Sequence, residues 1–143
     1  YYLFSIDSRL NFLIHYAARP CFQVEELIKF LKKFSSSDTV GAIFASPCTD
    51  TIKSSQSGKT IDATVERTYL WQAQTPQIYE YEALESIYKN FTGDLSLITD
   101  ESSMFEDSEY LISIFQSSNL NLKVTVKEDM ELAQSIIKNT IKS

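Results

Sequence analysis

Three cations stand where a chain can bring positive charge to a ligand. Arg19 follows the apolar run Asn11-Phe12-Leu13-Ile14-His15 in a loop anchored by Pro20, at the strand end where open α/β sheets bind their ligands. Arg67 closes the stretch Thr60-Ile61-Asp62-Ala63-Thr64-Val65-Glu66-Arg67. Lys123 lies within Leu120-Asn121-Leu122-Lys123-Val124-Thr125-Val126, whose strict alternation reads as a strand that points Lys123 away from the core. Guanidinium and ammonium groups gathered on one pocket are what a phosphate monoester, or a phosphoryl group in transfer, requires. Taken singly, each such cation is more often a solvated surface charge.

Other chemistries find less support. His15 is the only histidine, and a lone histidine at a strand end is more often structural than catalytic. No nucleophile triad is readable. Gly41, Gly58 and Gly93 are isolated, so no Gly-rich phosphate cradle lies in this segment, and one would have to lie upstream of Tyr1. Cys21 and Cys48 follow no metal-type spacing and are too few for a disulfide framework, which points to a reducing compartment, by default the cytoplasm. No residue is assigned as a metal ligand.

The elements that must position the cations read as α/β. Residues 11–15 form a short buried strand, and 15–22 a loop leaving its C-terminal end. Val24, Leu27, Ile28, Leu31 and Phe34 recur at helical spacing over 23–34, with Glu25 four residues before Lys29 and Lys32-Lys33 near the C-terminus. Residues 40–45 read as a strand buried on both faces, so strand, helix and strand suggest a βαβ unit with a right-handed crossover. Thr75 is expected to cap a helix with Pro76 at its first position and Tyr81, Leu84, Tyr88 and Phe91 on its apolar face. A short helix is expected from about Thr99, a strand over 110–115, and a last helix entered through a capping box at Thr125 to Glu128, with Met130, Ala133, Ile137 and Ile141 inward.

Between these elements, residues 49–53 and 60–67 flank the turn formers Ser54-Ser55-Gln56-Ser57-Gly58 and read as a β-hairpin. Its apolar side chains, Ile52, Ile61, Ala63 and Val65, are too few for a core element, and a lone hairpin is marginal in water. The expectation is one domain over 1–143 carrying a projecting dimerisation arm over 48–68, held by a second copy of the chain.

The 143 residues suffice for one domain with a substantial core. An apolar share of 43% with 13% aromatics is ordinary for a globular protein, and no apolar run approaches the ~20 residues of a membrane span. A net charge of −6 sets a repulsion against nucleic-acid backbone while leaving single cations free for a small anion. The start, Tyr1-Tyr2-Leu3-Phe4 without Met, reads as the C-terminal part of a longer protein.

Taken in order, His15-Tyr16-Ala17-Ala18-Arg19-Pro20, Asp50-Thr51-Ile52-Lys53, Thr64-Val65-Glu66-Arg67, Leu70-Trp71-Gln72-Ala73-Gln74-Thr75-Pro76-Gln77, Thr99-Asp100-Glu101-Ser102 and Leu122-Lys123-Val124-Thr125 resemble the motifs of the 2-C-methyl-D-erythritol 4-phosphate cytidylyltransferase family. The resemblance runs from about Phe12 to Ile137. It implies a Rossmann-like nucleotidyltransferase domain acting in non-mevalonate isoprenoid biosynthesis as a homodimer with interlocked arms, using CTP and Mg2+. By the same resemblance Ala17, Arg19, Thr75 and Lys123 line the sugar-alcohol phosphate site of their own subunit, Thr51 and Arg67 reach into the partner's, and Arg67 with Lys123 holds the attacking phosphate. Tyr16 stands where the family carries an acidic residue. Two other readings stay open: a cytidylyltransferase for another polyol phosphate such as ribitol 5-phosphate, and an inactive paralogue serving as a dimeric binding module.

Overall fold

In the computed structural model, which describes residues 2–6 and 9–140, the chain runs β1 (Tyr2–Ile6), β2 (Arg9–Ile14), α1 (Val24–Ser35), β3 (Gly41–Pro47), β4 (Ile52–Ser54), β5 (Ala63–Val65), β6 (Trp71–Glu80), α2 (Tyr81–Asn90), β7 (Ile112–Gln116) and α3 (Lys127–Thr140). Two 3-10 turns, Leu95–Leu97 and Glu101–Phe105, lie between α2 and β7. Five strands form one mixed sheet in the order β1-β2-β6-β3-β7, and β4 with β5 forms a separate two-stranded hairpin.

Alternation along the central strands distributes two cores. Ala42, Phe44 and Ile78 face α1, which buries Phe30 and Phe34. Glu25 and Glu26 in the first turn of α1 and Lys32 and Lys33 in its last complement the helix dipole. Phe30, Phe44 and Phe115 stack there with centroids 4.8–5.4 Å apart, within the range aromatic pairs favour. On the opposite face Ile43, Ala45 and Tyr79 pack with Ile14, with Ala83 and Leu84 of α2, and with Met104 and Phe105. Tyr79 and Phe105 lie nearly parallel, 5.2 Å apart.

The strand, helix, strand succession β2-α1-β3 is present, but its two strands are not neighbours. β6 runs antiparallel to both and lies between them, so β2 and β3 are parallel at one remove. The parallel pairing that does occur is β3 with β7.

Two sequence expectations are overturned. Thr75 and Pro76 do not open a helix: they lie inside β6, and α2 starts five residues later, at Tyr81. The register with β3 jumps from Ile43↔Gln77 to Phe44↔Gln74, leaving Thr75 and Pro76 as a bulge, a place where a strand tolerates a residue with no N–H. The Thr75-Pro76 peptide is cis. Pairing on both sides outweighs the local helix-start signal. Residues 120–126 likewise form no strand. Leu122 and Val124 are half-buried and Lys123 and Thr125 exposed, as the alternation expects, but Leu120 and Val126 are 50% and 55% exposed and Asn121 is 1% exposed, because Asn121 has buried hydrogen-bond partners and the segment is tied by Val124 N–H to the Ala18 carbonyl.

The last helix is capped otherwise than expected. Asp129, not Glu128, reaches back to accept from Thr125 N–H, Thr125 Oγ1 and Val126 N–H. Ala133 is buried and Ile137 half-buried, whereas Met130 is exposed; Ile141 lies outside the described residues.

The loop after β2 is organised by His15. Its Nε2–H donates to the Arg19 carbonyl at 2.9 Å, its Nδ1 accepts from the Thr75 hydroxyl at 3.1 Å, and its ring meets Phe22 edge-on at 4.5 Å. Burial, the largest cause, holds its pKa below 6.5; the bond to the Arg19 carbonyl opposes that and the Arg19 charge adds to it.

Two outcomes are expected. A Cβ at Gly41 would lie 2.6 Å from Tyr79 Cδ1, 2.8 Å from Ile112 Cδ1 and 3.0 Å from the Ile78 carbonyl oxygen. Gly41→Ala therefore overpacks the face of β3 that carries Tyr79 and Ile112 and should lower the melting temperature by roughly 3–10 °C. For His15 the folded state favours the neutral ring, so its stabilising contribution is complete above the unfolded pKa of about 6.5 and is lost as pH falls through the lower folded value. Melting curves between about pH 7.5 and about pH 5.5 should fall more steeply for wild type than for His15→Gln; parallel slopes would remove His15 as the cause.

Candidate active site

A cavity of about 180 Å³ opens beside the C-terminal end of β2. Three segments that are distant in sequence build it: the loop after β2, the bulged part of β6, and the connection from β7 to α3. Arg19 and Tyr16 come from the first, Gln74, Thr75 and Gln77 from the second, Lys123 from the third. Asp100, at the N-terminus of the second 3-10 turn, completes the wall.

Arg19 is half-buried, and its guanidinium is held by backbone carbonyls: Nη1 donates to Asn121 O at 2.7 Å and Nη2 to Ala73 O at 3.4 Å. Burial lowers its pKa, which follows from desolvating a cation without a counter-charge. Among the described residues the ion pairs are Arg9 with Glu80 and Lys89 with Glu85, and neither cavity cation takes part in one. Carbonyls can orient a guanidinium but cannot neutralise it. One wall of the cavity is therefore set to receive an anion.

The facing wall is neutral and acidic. Thr75 Oγ1 accepts from Tyr16 N–H at 3.2 Å and donates to His15, so its hydroxyl is fixed in direction. Tyr79 OH donates to Gln77 Oε1 at 2.6 Å, and Gln77 Nε2 donates to Asp100 Oδ2 at 2.8 Å. Burial, then the charges of Asp100 and Glu101, push the Tyr79 phenol far above its ordinary range, so it remains a donor. Asp100 Oδ1 accepts from Ser102 Oγ at 2.8 Å and Ser103 N–H at 3.1 Å. Tyr16 OH donates to Oε2 of buried Glu101 at 3.2 Å. Aligned amides, a hydroxyl and a carboxylate are suited to the hydroxyls of a sugar or polyol.

Of the residues singled out in the sequence, Arg19, Thr75 and Lys123 come together on this cavity. Lys123 does so from an irregular segment rather than from a strand. Ala17 is exposed in the same loop and is not part of the cavity wall. Thr51 and Arg67 line a separate depression on the β4-β5 hairpin with Thr64, Val65 and Glu66, and Arg67 Nη1 donates to the Thr49 carbonyl. One chain alone does not bring Arg67 to Lys123. Gln74, Gln77 and Asp100 escaped the choice of site residues. The available signal was two glutamines bracketing Thr75-Pro76, polar groups that look like surface until the bulge turns them inward.

Comparison with known proteins agrees with this geometry. The profile of the 2-C-methyl-D-erythritol 4-phosphate cytidylyltransferase (IspD) family matches residues 6–139. A relative of that name from Wigglesworthia glossinidia brevipalpis is 39% identical over 142 residues, covering 94% of this chain and 61% of the relative. One from Haemophilus ducreyi is 37% identical, covering 96% and 59%. Among solved structures, the enzyme of that name from Francisella tularensis superposes with a TM-score of 0.78 at 30% identity over 92% of this chain and 62% of that one. The chain thus spans about three-fifths of the length of the curated relatives named here. With the family profile over nearly its whole length and a matching mixed sheet, the chain belongs to the 2-C-methyl-D-erythritol 4-phosphate cytidylyltransferase family.

Proposed function

We propose that the protein transfers CMP from CTP to 2-C-methyl-D-erythritol 4-phosphate, giving CDP-methylerythritol and pyrophosphate in non-mevalonate isoprenoid biosynthesis. The observation that carries this reading is the convergence of Arg19, Lys123 and Thr75 on one cavity whose cations have no carboxylate partner among the described residues and whose other wall is polar. A phosphate monoester fits the cationic wall, and the hydroxyls of its polyol fit Thr75, Gln77 and Asp100.

In this reaction an oxygen of the acceptor phosphate attacks the α-phosphorus of CTP in line. The new P–O bond forms as the bond from the α-phosphorus to the bridging oxygen breaks, and pyrophosphate leaves with the electron pair. Catalysis then rests on holding two anions in contact and stabilising the charge between them. Arg19 and Lys123 would bind the acceptor phosphate, while Thr75 would fix its orientation. Cytoplasmic location is part of the proposal, supported by the unpaired Cys21 and Cys48. Among the described residues no helix is long and apolar enough to cross a membrane.

Magnesium is also part of the proposal, but these residues do not by themselves fit a resident metal cage. Among the described residues no three of His, Cys, Asp or Glu cluster, and both oxygens of Asp100 already accept hydrogen bonds. Mg2+ commonly enters on substrate phosphates with water and few protein ligands. No step above depends on a protein-held ion.

A homodimer would supply what one chain lacks. The hairpin is polar, two-stranded and exposed, with Ile61 67% exposed and Tyr69, just past it, 85% exposed, which favours a partner surface. In the dimer Thr51 and Arg67 would reach the cavity of the other subunit, and Arg67 would join Lys123 on the acceptor phosphate.

Pyrophosphate release by the full-length protein should require both CTP and methylerythritol phosphate. Equal turnover with ribitol 5-phosphate would reject the acceptor, and no turnover with any polyol phosphate would overturn the transferase reading. Arg67→Ala and Lys123→Ala should each lower kcat/KM by about 10²–10³. Mixed in equal amounts with random exchange, half the dimers are hybrids with one intact site of two, so about a quarter of wild-type activity should return. Proven exchange without recovery would remove the shared site.

A further inference from the structure

The connection carrying Lys123 has no strand or helix to hold it, yet Lys123 must keep one position to act on a phosphate. The residue that anchors this connection is Asn121, 1% exposed. Its Nδ2 donates to the Thr75 carbonyl at 2.8 Å and to Gln74 Oε1 at 2.9 Å, which ties the connection to the bulged part of β6. Its own carbonyl accepts the Arg19 guanidinium at 2.7 Å. Two residues further on is Lys123, and one beyond that Val124 N–H donates to the Ala18 carbonyl at 2.7 Å, closing the connection onto the Arg19 loop. A single residue therefore touches both loops that supply the cavity's cations and the strand between them.

The cost of this arrangement is visible in the same side chain. Asn121 Oδ1 is buried with no hydrogen-bond partner among the described residues. A buried acceptor gains nothing where no protein donor meets it, so what this amide does for the connection lies at its nitrogen. What the amide contributes is direction: two donors on one nitrogen, aimed at two acceptors on β6.

We infer that Asn121 is a positioning residue for the anion-binding wall, fixing Arg19 through its carbonyl and Lys123 through its amide. It does not line the cavity itself. Loss of the amide frees the connection from β6, so that Lys123 loses its fixed station and the Asn121 carbonyl its grip on Arg19. That these cations hold the acceptor phosphate rests on the function proposed above; that Asn121 immobilises them does not.

The experiment uses the full-length protein and two independent measurements. In steady-state kinetics Asn121→Ala should raise KM for methylerythritol phosphate by about tenfold or more, with kcat within about threefold and KM for CTP within about twofold, as for loss of ground-state positioning. In site-resolved phenylglyoxal labelling read by mass spectrometry, Arg19 should react at least about threefold faster in the variant, as expected when a fixed guanidinium becomes mobile. Ser117→Ala is the comparison, because Ser117 Oγ also donates to Gln74 Oε1, at 2.8 Å, but does so from the start of the connection, six residues before Lys123, and makes no bond to Arg19. It should lower the melting temperature without moving KM or the Arg19 labelling rate.

Unchanged KM in Asn121→Ala despite normal wild-type turnover would overturn the inference, as would an equal rise in Ser117→Ala. If wild type turns over no polyol phosphate, the proposed function fails and the labelling rate alone decides on Asn121: faster Arg19 labelling supports the positioning role and unchanged labelling overturns it. Should Asn121→Ala not fold, the milder Asn121→Ser is read in its place. Failure of both to fold would make Asn121 a folding residue and overturn the positioning role.

Discussion

Strand β6 must satisfy two neighbours at once, and the rest of the structure follows from how it does so. Its edges pair antiparallel with β2 and β3, two strands that run in the same direction and would otherwise have been sheet neighbours. That placement buries residues 74–79 completely or nearly so, although four of the six are glutamine, threonine or proline and only Ile78 and Tyr79 are large apolar or aromatic groups. Buried amides must be hydrogen-bonded. The groups that meet this demand are Ser46 of β3, Ser117 and Asn121 of the connection after β7, Asp100 at the second 3-10 turn and Tyr79 of β6 itself. The polar cavity is thus the open end of a buried hydrogen-bond network, and the bulge at Thr75 and Pro76 is where that network turns toward solvent.

This arrangement explains which features could be read from the sequence. Arg19 was legible because it is local: an apolar run, a strand end and Pro20 suffice to place it just past the C-terminal end of a strand. The hairpin was legible because turn formers and alternation are local too, and β4 with β5 appears between the expected bounds. Helix α1 needed only its apolar period and its charged ends to be found, but its inward face is Phe30 and Phe34 with Leu27 and Leu31, while Val24 and Ile28 are exposed. By contrast, Thr75-Pro76 carries a sound helix-start signal that is defeated by strands arriving from residues 11–14 and 41–47, which no local window contains.

Lys123 and Asn121 illustrate the harder failure. The alternation over 120–126 is real as a pattern, but burial follows the partner and not the pattern. Asn121 gains Thr75 and Gln74 by turning inward, and its apolar neighbour Leu120 is carried outward. Lys123 was chosen for its charge and reached the cavity by another route. Gln74, Gln77 and Asn121 could not be told from surface amides, because an amide has the same polarity wherever it is placed and only the fold determines whether water or protein satisfies it.

The hairpin has a consequence of a different kind. β3 and β6 are antiparallel neighbours, so a tight turn could have joined them, and the excursion from Cys48 to Leu70 is closed at its base by the Cys48 N–H bond to the Leu70 carbonyl, 3.0 Å. Loop-closure entropy rises slowly, by only about 0.6 kcal/mol for each doubling of length. The core sheet is therefore nearly indifferent to what is inserted above that clasp. Length and shape of the excursion can drift over evolutionary time with little penalty to folding, leaving its surface fit and the groups it delivers as the properties on which selection acts there.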